Sequence, residues 1–256
     1  MAQAMIGGLL AKKTPPHHIQ VIDLAPQAQI ALSKLGVDCS TQWPSHFEPS
    51  QVVLAVKPQH VEQVISTYQT KLQPLCLISL AAGITTTQLT DWVGSPTARI
   101  VRSMPNTPAL VGQGLTGLFF NSHCTADDQQ AAQLLFNACG NIQIVQHESS
   151  INGMTAISGS GPGYVFYFME HLEKAALEFG FSADQARQLV SQTFLGAAAL
   201  ASNSPLSFSE LRQQVTSPAG TTFAGLEILK QGHVGDTIEQ AAWAAKQRAE
   251  ALANKA

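Results

Sequence analysis

The chain has 256 residues, a formal net charge of −3 and a pI near 6.2, with 45% hydrophobic and 12% charged residues. That balance gives no electrostatic case for nucleic acid or an anionic membrane as partner, and no apolar run approaches the roughly 18 residues a membrane-spanning helix needs. The charged share is about half the usual one, so much of the surface must be Gln, Ser and Thr or be buried in an oligomer.

The start, Met1 to Lys13, places its charges after the apolar part rather than before it. It therefore reads as a helix over residues 2–12, not as a signal peptide. From there to about residue 150, short apolar strands alternate with helical stretches. Strands are predicted at 19–23, 37–39, 51–56, 75–80, 99–103, 115–120 and 142–145, and helices at 26–35, 61–71, 86–93 and 127–139. The run Val52-Val53-Leu54-Ala55-Val56 lacks strict alternation, which suits a parallel sheet covered on both faces. The pattern is doubly wound α/β. Cys39, Cys76, Cys124 and Cys139 stand at no metal-ligand spacing and read as reduced thiols in a cytoplasmic protein.

Beyond residue 150 the strand pattern stops. Helices are predicted at 164–179, 183–203, 207–215, 222–231 and 236–255, with Ser182, Asn203 and Ser207 offering caps. The first is apolar on nearly every face, from Tyr164 through Phe168 to Ala176, so it is expected to be buried all round. The centre of a domain and a subunit interface satisfy that expectation equally.

Two segments opening these helices bear on function. Val215-Thr216-Ser217-Pro218-Ala219-Gly220-Thr221-Thr222 offers hydroxyls and free backbone N–H groups but no acid, base or thiol. A helix start presents unpaired donors and the positive end of its dipole, so this segment suits an anion, most simply a carboxylate. The plainer reading is an ordinary helix cap, since Ser, Thr and Pro favour any helix start. Ile157-Ser158-Gly159-Ser160-Gly161-Pro162-Gly163-Tyr164 is the second such segment. It lacks the outer Gly of a Gly-x-Ser-x-Gly nucleophile elbow and follows no strand, which speaks against a hydrolase. None of the eight histidines stands at zinc spacing with a cysteine or acid, so no metal site is expected.

Together with Ala55-Val56-Lys57-Pro58, Ser79-Leu80-Ala81-Ala82-Gly83 and Met104-Pro105-Asn106-Thr107-Pro108, those segments make the chain resemble pyrroline-5-carboxylate reductase from Met1 to about Leu252. The resemblance implies a Rossmann-like dinucleotide-binding domain over residues 1–149 and a helical substrate-binding and dimerisation domain over 150–256. It also implies hydride transfer from NADPH or NADH to 1-pyrroline-5-carboxylate, giving L-proline, in a homodimer or dimer-based higher oligomer. In this reading the apolar first helix passes through the subunit interface. Carried over by position, Thr222 hydrogen-bonds the imine nitrogen, while Ser217, Gly220, Thr221 and Thr222 hold the carboxylate. Met1, Ala55, Val56, Lys57, Pro58, Ala81, Ala82, Gly83, Pro105 and Asn106 line the cofactor. Asp23, at the end of its strand, is placed on the adenosine ribose, where an acid disfavours a 2′-phosphate; it serves equally as a turn residue before Pro26. A related imine or β-hydroxyacid reductase, and a non-enzymatic helical oligomer, fit the same architecture.

The family's chains open with a strand and a Gly-x-Gly-Asn-Met-Ala turn, and this sequence starts at the Met-Ala of that turn. The expectation is a sheet without its usual first, central strand, and a cofactor site without both glycines. A late start-site assignment and a real loss explain this equally. The chain as written is then expected to be poorly stable and to bind NAD(P)H weakly.

Overall fold

The computed structural model describes residues Met1–Ala253. The chain divides into two compact units, one of Met1–Ser160 together with the chain from Ala245 on, the other of Gly161–Ala244. The predicted helix end at Lys255 lies outside the described residues.

The first unit runs α1 (Ala2–Ala11), β1 (Gln20–Ile22), α2 (Pro26–Ser33), β2 (Asp38–Ser40), β3 (Gln51–Leu54), α3 (Pro58–Leu72), β4 (Cys76–Ser79), α4 (Thr86–Val93), β5 (Arg99–Met104), β6 (Gly114–Phe120), α5 (Ala126–Asn137), β7 (Gly140–Ile144) and α6 (Ser150–Met154). The strands form two sheets. One is a parallel pair, β1 with β2, and the other is five-stranded in the order β3-β4-β5-β6-β7. All pairings are parallel except β5 with β6, so the sheet is mostly parallel, as the apolar runs led us to expect. Among the described residues β1 pairs only with β2, and β3 only with β4.

Strand alternation explains the layering. Leu77 of β4 and Ile100 of β5 face a core built with Val61 and Ile65 of α3 and Leu89 and Val93 of α4. Cys76, Ile78 and Val101 point the other way, against Ala4 and Met5 of α1 and Ala132 and Phe136 of α5. The small sheet packs through Val21 and Cys39 against Ile6 and Leu10 of α1 and Leu32 of α2. The same helix, α1, thus serves both sheets from adjacent residues.

The second unit holds α7 (Gly161–Glu178), α8 (Ala183–Ser202), α9 (Phe208–Gln214), α10 (Thr221–Gln231) and most of α11 (Val234–Ala253). Ser182 and Ser207 are N-caps with complete capping boxes, whereas Asn203 ends α8 as its C-cap rather than starting a helix. The expectation that the first of these helices is buried all round needs correction at the level of one chain. Of α7 only Ala176 is buried, while Val165, Phe166, Tyr167 and Leu172 are exposed. In the whole unit the buried residues are Ala176, Ala186 and Val190. An apolar helix needs an apolar neighbour on each face, and one copy of this unit does not supply it.

Candidate active site

Strands β3, β4 and β5 run parallel in neighbouring positions, so the segments after them emerge along one edge of the sheet. In a doubly wound fold, ligands bind at this edge. The first segment is Ala55 to Pro58, all exposed. Because Pro58 restricts the residue before it, Lys57 is extended, at φ −64° and ψ 148°, and serves as N-cap of α3. Among the described residues its ammonium makes no ion pair.

The second segment is Ala81 to Gly83. It is clamped at its base: Leu80 N–H donates to Leu54 O at 3.1 Å, Ala81 N–H to Ser79 Oγ at 3.2 Å, and Ser103 Oγ to Ser79 O at 2.8 Å. Gly83 has φ +79°, and a Cβ there would stand 2.8 Å from Leu252 Cβ, so glycine is required both for the turn and for the close approach of α11.

The third segment is Pro105 and Asn106, both buried. The Asn106 amide is engaged inside the unit at both ends: Nδ2 donates to Ser158 O at 3.0 Å and Oδ1 accepts from Leu115 N–H at 2.9 Å. Ser158 lies in a π-helical turn, Thr155–Gly159, a feature that is frequent at functional sites. This turn was not foreseen, since periodicity carries no mark of one inserted residue.

Asp23 follows β1. Its Oδ1 accepts from Ala25 N–H at 2.8 Å, which is the turn role, while Oδ2 makes no hydrogen bond among the described residues. Met1 is the N-cap of α1 and supplies no side-chain cap. A dinucleotide's polar groups fit these residues: Lys57 offers a cation, the start of α1 bare N–H groups, and Asp23 Oδ2 an acceptor for a ribose hydroxyl, while of the small residues Ala55 is exposed and Ala81 and Gly83 are buried.

In the second unit, α10 starts differently from α8 and α9. Helices α4, α5, α8 and α9 each begin with a full capping box. Helix α10 begins at Gly220 with no side-chain cap. Ala219 takes a left-handed φ of 57°, and Gly220 N–H turns back onto Ser217 O at 3.0 Å. Among the described residues that leaves the N–H groups of Thr221, Thr222 and Phe223 without partners, and the hydroxyls of Ser217, Thr221 and Thr222 likewise make no hydrogen bond. Gly220's own N–H, expected among the carboxylate donors, is therefore occupied within the turn. A Cβ at Gly220 would collide with the Ser217 Oγ, so that hydroxyl would have to turn aside. The arrangement is an exposed array of donors at the positive end of a helix dipole, with no acid nearby in sequence.

A further set of polar residues escaped the sequence reading. Arg102, its side chain 3% exposed, donates to Glu148 at 3.0 Å and to Asn152 Oδ1 at 3.0 Å. Glu148 in turn accepts the N–H and hydroxyl of Thr86 at 2.8 and 2.7 Å. The one available hint was an arginine inside the apolar stretch Ile100-Val101-Arg102-Ser103. The four cysteines are all free thiols; the hydrogen bond to Cys124 and burial push Cys76 well up, and burial raises Cys139. These two serve as packing groups rather than nucleophiles. Among the described residues no three His, Cys, Asp or Glu side chains gather to hold a metal ion.

Comparison with known proteins agrees with this layout. Residues 148–252 match a family model described as pyrroline-5-carboxylate reductase dimerisation, and residues 1–83 one described as NADP oxidoreductase coenzyme F420-dependent. The chain is 37% identical to the pyrroline-5-carboxylate reductase of Pseudomonas aeruginosa over 258 residues, spanning all of this chain and 94% of that one. It is 38% identical to that of Haemophilus influenzae, over 98% of this chain and 94% of the relative. Among solved structures, a pyrroline-5-carboxylate reductase from Coxiella burnetii superposes with a TM-score of 0.91 at 36% identity, covering 98% of this chain and 94% of that one. The Plasmodium falciparum enzyme, solved with NADP bound, gives 0.88 at 27% identity over the same shares. The dimerisation match describes a homo-oligomer. With full-length identity above a third and both halves accounted for, the chain belongs to the pyrroline-5-carboxylate reductase family.

Proposed function

We propose that the unpartnered N–H groups and hydroxyls at the start of α10 bind the carboxylate of 1-pyrroline-5-carboxylate, and that the Thr222 hydroxyl hydrogen-bonds its ring nitrogen. The reaction is reduction of that imine to L-proline with NADPH or NADH. When bound, the dinucleotide supplies a hydride from C4 of its nicotinamide to the imine carbon; the C=N pair moves onto the protonated nitrogen, leaving a secondary amine. The chain therefore needs no strong base of its own, only to bind and orient.

The carrying observation is that α10, unlike the capped helices α8 and α9 of the same unit, leaves its first N–H groups and the hydroxyls of Ser217, Thr221 and Thr222 unspent among the described residues. Bare donors in a turn fixed by Ala219 and Ser217 are pre-organised for a planar carboxylate. Thr222 has its hydroxyl free, so it is not consumed as a helix cap. On the other unit, Lys57, the bare start of α1 and Asp23 Oδ2 take the dinucleotide's phosphates and ribose, while Ala55, Val56, Pro58, Ala81, Ala82, Gly83 and Pro105 line its rings and Asn106 holds its loop. The oligomer is a homodimer or is built of dimers, supported by the uncovered apolar face of α7. Four free thiols support a cytoplasmic setting.

The test is NAD(P)H oxidation by the 256-residue chain with 1-pyrroline-5-carboxylate, with proline as product. Turnover confined to acyclic imines or hydroxyacids would sink the substrate assignment.

A further inference from the structure

Arg102 is a charged side chain in the middle strand of the five-stranded sheet, almost wholly buried. A buried ion pair is weak grounds for stability, since desolvation offsets most of the attraction. What this pair does is better read from its third partner. Glu148 Oε1 accepts from Arg102 Nη1 at 3.0 Å and from Thr86 N–H at 2.8 Å. Its Oε2 accepts from Thr86 Oγ1 at 2.7 Å. Thr86 is the first residue of α4, so the carboxylate also sits at a favourable helix end. Arg102 Nη2, donating to Asn152 Oδ1 at 3.0 Å, fixes the guanidinium from the far side.

Thr86 ends the loop that starts at Ala81. One end of that loop is clamped by Leu80 and Ser79 through the bonds described above; Glu148 clamps the other. Between the clamps at Leu80 and Thr86 lie five residues, including the left-handed Gly83. We propose that Glu148, oriented by Arg102 and Asn152, is a positioning residue that holds the loop Ala81 to Thr85 in its dinucleotide-binding shape by gripping the N–H and hydroxyl of Thr86. This rests on the cofactor assignment of that loop given above. Holding the loop before the ligand arrives removes an ordering cost from binding, and small misplacements at such a site have large effects.

The test uses the full chain with Thr86→Val, which keeps the shape but removes the hydroxyl, and Thr86→Ser, which returns it. Glu148→Gln, isosteric but uncharged, is a second probe should Thr86→Val fold poorly. Thr86→Val and Glu148→Gln are each expected to raise the Kd for NADPH, read by fluorescence titration, about 3- to 30-fold. In the cofactor-free protein they should speed hydrogen exchange at the amides of residues 82–85. Thr86→Ser restores both. An unchanged Kd or unchanged loop exchange in the first two variants, or a Kd that Thr86→Ser fails to restore, overturns the proposal, whatever happens to the melting temperature. Ala82→Asp, measured alongside, separates two failures. If it weakens NADPH binding while Thr86→Val does not, only the bracket falls; if it too leaves the affinity untouched, the loop does not hold the dinucleotide and the cofactor assignment falls with it.

Discussion

At the scale of single residues, the chemistry depends on groups that the fold leaves unspent. Thr222 is the sharpest case, because a hydroxyl at the second position of a helix ordinarily finds a local backbone acceptor, and this one does not. A hydrogen bond to a charged group contributes about 1.5–3 kcal/mol, so Thr222→Ala should lower kcat/KM roughly 10- to 150-fold with little change in NADPH affinity. Steady-state kinetics beside a cofactor titration checks this, and an unaltered kcat/KM would return Thr222 to the role of helix terminus. The residue types were legible in the sequence because Ser, Thr, Pro and Gly in that order mark a helix start. That Gly220 N–H is consumed by Ser217 was not, because it follows from the left-handed turn at Ala219, a conformation alanine does not advertise. Asn106 shows the same limit: a polar residue after a strand reads as a ligand contact, whereas its amide is tied to Ser158 and Leu115.

Among the elements, α5 joins its capping box to an ion pair. Asp128 Oδ2 accepts both the N–H and hydroxyl of Thr125, each at 2.9 Å, and Asp128 also pairs with Arg99 at 2.8 Å. Burial works to raise the Asp128 pKa, but the Thr125 N–H and hydroxyl and the Arg99 charge outweigh it, leaving the carboxyl below its ordinary value. A carboxyl depressed in the folded state stabilises the fold above its unfolded pKa, about 3.9. That contribution disappears as the pH falls through the lower, folded value. Asp128→Asn should therefore unfold at lower urea at pH 7, with a deficit that shrinks as the pH drops below about 4; a deficit constant with pH would mean that the cap, not the charge, is what the mutation removes. Strands and helices of this unit were legible because each is a short apolar run bounded by turn residues. Arg102 was not, since an isolated charge in a strand looks like an exposed edge until its partners, tens of residues away, are seen.

For the molecule as a whole, the two units differ in how much they bury. The first has two-sided packing around its main sheet. The second exposes Phe166, Tyr167, Phe179, Leu195, Phe208 and Ile228, each more than 60% accessible. Side chains of this size contribute about 1.5–3 kcal/mol apiece when covered, so association decides whether this unit is stable. The melting temperature should accordingly rise with protein concentration, checked by scanning calorimetry over a hundredfold dilution with sedimentation in parallel; a concentration-independent melt of a monomer would contradict it. Apolar periodicity marked α7 as apolar on nearly every face, but burial within a chain and between chains leave one and the same pattern, so it could not tell that a single copy leaves Val165, Phe166, Tyr167 and Leu172 exposed. A different consequence follows from α1, whose neighbouring residues Met5 and Ile6 belong to separate cores. It acts as a rivet between a large sheet and a small one that share no strand pairing. Ile6→Ala empties only the smaller core, at about 2–5 kcal/mol, so β1 and β2 should come loose while β3 to β7 stay folded. Heating would then give two steps instead of one, with trypsin cutting after Lys12, Lys13 or Lys34 during the first; a single cooperative step would mean that the two sheets are welded more firmly than a lone helix allows.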